Sequence, residues 1–145
     1  LTTIAYRDGV LAADSLVTTN THRDGIVVKI TKRGPFLAAA CGSWPTCLRF
    51  LDWFRAGMPI ERAPDMSGGD DDKRGACGHI FMPDHLVLTA SASGWSRRRA
   101  EYYATGTGAD YAYGAMAMGA SAEDAVRAAL KFDTTSGGNV VTLRH

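Results

Sequence analysis

Residues 2–14 read TTIAYRDGVLAAD, two β-rich segments on either side of an Asp-Gly pair. Thr2 to Tyr6 predicts a strand, Arg7-Asp8-Gly9 a tight turn, and Val10 to Thr18 the returning strand. Asp-Gly between apolar segments is the strongest short-range hairpin signal, because the two-residue turn it favours needs positive φ. Asp14 interrupts the apolar pattern of the second strand, and a carboxylate on a half-buried strand needs a partner. Further along, Ile26 to Thr31 (IVVKIT) and Phe36 to Cys41 (FLAAAC) predict a second hairpin around Lys32-Arg33-Gly34-Pro35. Lys29 stands inside the first of these strands, a charge where packing alone would favour an aliphatic side chain.

Past Gly42-Ser43 the pattern turns helical. Ser43 suits an N-cap and Pro45 the first turn, while Trp44, Cys47, Leu48, Leu51 and Phe54 recur at helical spacing until Gly57 and Pro59. Residues 66–75 (MSGGDDDKRG), polar and dense in charge, are expected to form an exposed loop. Ala76 to Met82 and His85 to Ala92 predict a third hairpin across Pro83-Asp84, followed by a basic connection from Ser93 to Glu101. Tyr102 to Thr105 leads into Gly106-Thr107-Gly108 and a helix from Ala109 to Met118. Ser121 and Asp124 form a capping-box variant ahead of the stripe Ala122, Ala125, Val126, Ala129 and Leu130. A last strand, Asn139 to Leu143, follows the turn 133–138. Strands and helices come in runs, which predicts an α+β fold of helix-covered sheets rather than alternating βαβ units. With no internal repeat and no boundary signal, residues 1–145 are expected to form one domain.

Composition narrows the function classes. The 145 residues are 46% hydrophobic and 21% charged, ordinary globular values that exclude wholesale disorder. Lys and Arg number 16 against 15 Asp and Glu, a balance that argues against a basic footprint for nucleic acid. The longest apolar run, Phe36 to Cys41, is far too short for a membrane span. No secretory signal pattern opens the chain and the cysteine count is odd, so a cytoplasmic location is expected. His79, His85 and Cys77 fit no standard zinc spacing, and no metal or organic cofactor is expected.

Four features need a chemical account: Thr2-Thr3, Asp14, Lys29, and the turn Asp133 to Gly138. A threonine hydroxyl is a poor nucleophile until a base takes its proton, and its own α-amino group can be that base. The ordinary pKa of such an amine, roughly 7.7–8.0, leaves a useful neutral fraction at working pH. A lysine ammonium nearby favours the deprotonated forms of both groups, and an aspartate beside it keeps the lysine charged and oriented. Taken singly, each feature has a plainer reading: a strand start, a solvated ion pair, a turn after a helix. Gly106-Thr107-Gly108 taken alone reads as a helix-start turn, since a phosphate loop would need further lysine and acidic signals.

Taken together they resemble the proteasome β-type N-terminal-nucleophile hydrolases, the family that includes the bacterial ATP-dependent threonine protease. The matching pieces are TTIAYRDGVLAAD at 2–14, VVKI at 27–30, AACGS at 39–43, ATGTGADYAYGAM at 104–116 and KFDTTSGGNV at 131–140. They occur in the family's order over Thr2 to Leu143. The resemblance implies a four-layer αββα sandwich. It implies Thr2 as nucleophile and, through its amine, as general base, with Lys29 as the active-site lysine and Asp14 as the aspartate that fixes it. It implies the Gly42 N–H as an oxyanion donor. It implies Asp133 and Ser136 as the residues that complete the network around the N-terminus, with Thr107 standing where the family has serine. Thr3, Thr18 and Thr19 are placed along the substrate channel by position alone.

The implied activity is hydrolysis of peptide bonds in peptide or unfolded protein, inside a ring-shaped homo-oligomer fed by an ATP-dependent unfoldase. Leu1 precedes Thr2, so the resemblance also implies that Leu1 is removed to free the amine. Two other readings stay open: an inactive structural or assembly subunit with Thr2 covered, and an amidohydrolase acting on a small amide. Trp53 lies off the helical stripe and is expected at a subunit interface, where tryptophan is enriched.

Overall fold

The computed structural model describes residues 2–19, 22–68 and 75–145. They fall into two compact units, one of residues 1–29 with 101–144, the other of residues 30–100 with His145. Every strand pairing in both is antiparallel, and strands and helices come in runs, so the α+β reading holds. No helix among the described residues is long and apolar enough to cross a membrane.

The first unit is built on the opening hairpin, β1 (Thr3–Arg7) and β2 (Val10–Ala13). Asp8 and Gly9 sit at φ 52° and 74°, the left-handed pair that Asp-Gly was expected to supply. After β3 (Leu16–Thr19) and β4 (His22–Ile26), which pair with each other, the chain leaves this unit. It returns through a strand at Tyr102–Gly106 and helices at Ala109–Ala117 and Ala122–Leu130, and ends in a strand at Val141–Arg144.

The second unit contains β5 (Ile30–Arg33), β6 (Phe36–Gly42), α1 (Trp44–Arg55), β7 (Ala76–Phe81), β8 (Leu86–Ser91) and β9 (Gly94–Arg99). Counting on in chain order, the returning elements of the first unit are β10, α2, α3 and β11. The sheets run β10-β1-β2-β11 and β5-β6-β7-β8-β9.

Small side chains let the helices sit close to the sheet. In the first unit Ala104, Ala5 and Ala12 lie directly opposite one another across β10, β1 and β2. That alanine row receives Ala112 and Met116 of α2 and Ala122, Ala125 and Val126 of α3 in one buried cluster. The Ser121 hydroxyl accepts from the Asp124 N–H, so the expected cap opens α3. In the second unit Cys47, Phe50, Leu51 and Phe54 of α1 pack on Ala38, Ala40, Ala76, Ile80 and Ala90. A Cβ on Gly78 would come within 2.4 Å of the Phe50 ring, so the phenyl group needs the glycine.

Several expected boundaries move. The strand expected over Val10 to Thr18 divides at Asp14-Ser15, because the Ser15 and Leu16 N–H groups both turn to the Gly137 carbonyl at 3.0 and 3.1 Å. The strand expected over Ile26 to Thr31 also divides: Ile26 ends β4, Ile30 starts β5, and residues 27–29 join them. Asp14 and Lys29 therefore stand at strand ends and not inside strands. The basic connection expected at 93–101 is largely a strand, since all of β9 pairs with β8. The loop expected at 66–75 is not wholly exposed: Met66 is buried against α1 and its carbonyl accepts from the Ala76 N–H. Residues 69–74 of that loop, like Leu1, lie outside the described residues. Trp53 packs between Phe50 and Trp95, and its indole N–H donates to the Pro59 carbonyl at 2.9 Å.

Candidate active site

Two tight turns of the first unit close on the start of β1. At the first, β10 ends opposite Thr3 at Gly106, whose φ of +95° favours glycine. A Cβ there would lie 2.1 Å from the Thr2 carbonyl oxygen, and one on Gly108 would lie 1.9 Å from the Thr3 hydroxyl. These glycines let Thr107 lie against Thr2: the Thr2 N–H donates to Thr107 Oγ1 at 3.2 Å, and the Gly108 N–H donates to the Thr2 carbonyl at 3.3 Å. At the second turn, residues 133–138 wrap against Asp14 and Ser15, where a Cβ on Gly138 would meet Ser15 Oγ at 2.5 Å.

Asp14 is held from three directions. Its Oδ1 accepts from Lys29 Nζ at 2.9 Å and from the Thr3 N–H at 3.0 Å, and its Oδ2 accepts from the Gly137 N–H at 2.9 Å. The side chains of Lys29 and Asp14 are only 3% and 0% exposed, so their ion pair is shielded from water. Lys29 Nζ also donates to Thr2 Oγ1 at 3.2 Å. A fixed ammonium thus bridges a fixed carboxylate and the hydroxyl of Thr2. Charge developing on that oxygen would be met by a positive group in a dry setting, where such an interaction is strongest.

A second carboxylate organises the other side of Thr2. Burial alone would raise Asp133, but hydrogen bonds from Ser136, Thr107 and Thr135 outweigh it and hold the carboxyl down at about 2. As a carboxylate it only accepts, and that orders the hydroxyls around it. Thr107 and Ser136 donate to Oδ2 at 2.7 and 2.6 Å, and Thr135 donates to Oδ1 at 2.8 Å. With the Ser136 hydrogen so committed, Ser136 Oγ accepts from the Thr3 hydroxyl at 2.8 Å. Thr107, its hydrogen likewise directed to Asp133, presents a lone pair to the nitrogen of Thr2.

Six of the expected site residues, Thr2, Asp14, Lys29, Thr107, Asp133 and Ser136, are therefore joined in one unit by these contacts. Gly42 belongs to the other unit, at the end of β6, with φ at +117°. Ser43 N–H donates to the Gly75 carbonyl at 2.8 Å, so by the alternation of an antiparallel ladder the Gly42 N–H points away from β7.

Thr3 was expected along a channel, yet it is fully buried, its N–H on Asp14 and its hydroxyl on Ser136. Thr3 opens β1 with its hydroxyl on Ser136, whereas the hydroxyl of Thr2, one residue ahead of the strand, accepts from Lys29. Sequence reasoning gave no role to Thr135 or to the Gly137 N–H. The Asx turn that Asp133 makes with the Thr135 N–H, at 3.0 Å, is the local signal that could have marked Thr135.

Neither a protein-family model nor a curated protein matches this chain. Solved structures do. BPH from Thiobacillus denitrificans in complex with epoxomicin aligns over 98% of this chain and 96% of its own, with a TM-score of 0.66 and 22% identity. BPH without that compound aligns over 98% and 95%, with a TM-score of 0.69 and 22% identity. HslV from Trypanosoma brucei aligns over 99% of both chains, with a TM-score of 0.69 and 16% identity. The chain shares the fold of these proteins along nearly its whole length.

Proposed function

We propose that the protein is a threonine-type peptidase whose nucleophile is Thr2 Oγ1 and whose general base is the Thr2 amine, once Leu1 and anything before it are removed. The observation that carries this reading is Lys29 Nζ, 3.2 Å from Thr2 Oγ1 and 2.9 Å from a buried Asp14. The fold shared with BPH and HslV supports it.

In this reading the freed amine keeps its hydrogen bond to Thr107 Oγ1, which leaves a lone pair for the Thr2 hydroxyl proton. Oγ1 attacks the peptide carbonyl while Lys29 stabilises the charge on it. The resulting tetrahedral oxyanion is stabilised by the Gly42 N–H, in the role the resemblance implies. The ammonium then returns its proton to the leaving amine as the C–N bond breaks, giving an ester on Thr2. A water molecule, deprotonated by the same amine, hydrolyses the ester and restores Oγ1–H. Asp133, Ser136 and Thr107 orient the amine, and Asp14 orients Lys29. The four-layer αββα sandwich, single-domain behaviour, a homo-oligomeric ring, a cytoplasmic setting, and peptide or unfolded protein delivered by an ATP-dependent unfoldase belong to the same proposal.

The test is intact mass and N-terminal sequencing of the expressed protein, followed by labelling with an epoxyketone. A chain that starts at Thr2 and takes up one epoxyketone, with no uptake by Thr2→Ala, is the expected result. A chain that starts at Thr2 and is not labelled overturns the reading. A chain that keeps Leu1 in its mature form turns it into that of an assembly subunit.

A further inference from the structure

The second unit carries a pair of thiols that the proposed chemistry does not use. Cys41 on β6 lies directly across from Cys77 on β7, and both are half-buried thiols. The ladder bond from Ser43 N–H to the Gly75 carbonyl lies two register positions further on. By alternation, Cys41 and Cys77 form a pair that exchanges backbone hydrogen bonds, with Cα atoms about 5.5 Å apart. That separation is inside the roughly 4.4–6.8 Å window of disulfides. Opposed residues project to one face of a sheet, so both sulfurs emerge on the same side. That side is the reverse of the face where Ala40 and Ala76 meet α1. Cys47, the remaining cysteine, is 1% exposed inside the α1 cluster.

We infer that Cys41 and Cys77 are a covalent modification site, a dithiol that low-molecular-weight disulfides oxidise to a cross-strand disulfide. One cysteine sulfur attacks the small disulfide, breaks its S–S bond and releases one small thiol. The second cysteine attacks the mixed disulfide and expels the other small thiol, leaving Cys41 joined to Cys77. The two cysteines together lose two electrons and two protons, and the small disulfide takes up both to become two thiols. Opposed Cβ atoms in a ladder stand about 4.5–5.5 Å apart, wider than the roughly 3.8 Å of a relaxed disulfide. The closed bond is therefore strained and is readily reopened by thiols, as labile disulfides are. Both cysteines belong to the second unit, and their oxidation does not depend on Thr2 chemistry.

The experiment is to incubate the intact protein with excess glutathione disulfide and to read intact mass and linked peptides. The expected result is a loss of two hydrogens with a Cys41–Cys77 linkage, reversed by dithiothreitol. Cys41→Ser and Cys77→Ser should each stop at a single glutathione adduct, and Cys47→Ser should behave as the wild type. As a check that needs no substitution, phenylarsine oxide, which bridges adjacent thiols, should protect both cysteines from alkylation at one equivalent. Stable mixed adducts on the wild type, linkage through Cys47, or linkage only between two copies would overturn the inference.

Discussion

Replacing Asp14 by Asn keeps the side chain's shape and removes its charge, which isolates what the carboxylate does. Each Asp14 oxygen faces donors: Lys29 Nζ and the Thr3 N–H on one, the Gly137 N–H on the other. Whichever way the new amide turns, its NH2 group points at a donor and one bond becomes a clash of like dipoles. Lys29, 3% exposed, loses its counter-charge in a site with little water. Removing one partner of a buried pair typically costs about 3–5 kcal/mol. For a chain of this size that corresponds to a fall in Tm of about 6–20 °C, at about 2–4 °C per kcal/mol. Urea unfolding at neutral pH measures the cost directly, and the double variant Asp14→Asn/Lys29→Met assigns it. With both charges gone, the penalty of a stranded ammonium disappears. The double variant should be more stable than the sum of the single changes predicts, by about 2–3 kcal/mol. If Asp14→Asn unfolds within about 0.5 kcal/mol of the wild type, or if the two changes simply add, the buried bridge is not the source of order around Thr2.

Gly106→Ala places a methyl group 2.1 Å from the Thr2 carbonyl oxygen at φ +95°, so thermal melting should show a loss of at least about 2 kcal/mol. Gly114→Ala, with nothing within 4 Å of the new Cβ, is the matched control and should be neutral or stabilising. Asp133, depressed from 3.8 to about 2, favours the folded state above the unfolded pKa and loses that contribution as pH falls toward 2. Melting curves between pH 5 and pH 2 should fall more steeply for the wild type than for Asp133→Asn. His79 is pulled from 6.5 down to about 4, chiefly by burial and then by the Arg98 charge. The unfolded chain takes up this proton first on acidification, so stability should drop between about pH 6.5 and pH 4, by up to about 3 kcal/mol. His79→Gln should flatten that window and leave the lower one unchanged.

Much of the fold was legible because its signals are local. Asp8-Gly9 reads as a hairpin turn from residue chemistry alone, and the left-handed φ values at both positions follow from it. The spacing of Cys47, Leu51 and Phe54 marks the buried face of α1, although Leu48 of the same expected stripe is 42% exposed, and Ser121 with Asp124 marks the start of α3. What the pattern misplaced depends on distant partners. The strand from Val10 is cut at Asp14 by the Gly137 carbonyl, more than a hundred residues away, and no property of residues 10–18 announces it. The Gly94–Arg99 segment reads as a basic connector because its side chains are exposed, yet its backbone is ordered by β8. At the candidate site, the proposed set Thr2, Asp14, Lys29, Thr107, Asp133 and Ser136 came through the matching motifs. The burial of Thr3 and the place of Thr135 did not, since both follow from how two turns meet.

Short-range choices follow from neighbouring residues alone: which glycines turn, which faces of the helices are apolar, and which residue types could make a nucleophile, a base and an oriented ammonium. These rest on the φ preferences and side-chain periodicity of neighbouring residues. It takes the folded chain to bring Lys29 to Thr2 and to gather the Thr107, Thr135 and Ser136 hydroxyls on one carboxylate, Asp133. Those contacts join segments far apart in the chain. Their strength comes from burial and fixed direction, which exist only after the sheet and its turns have closed around them.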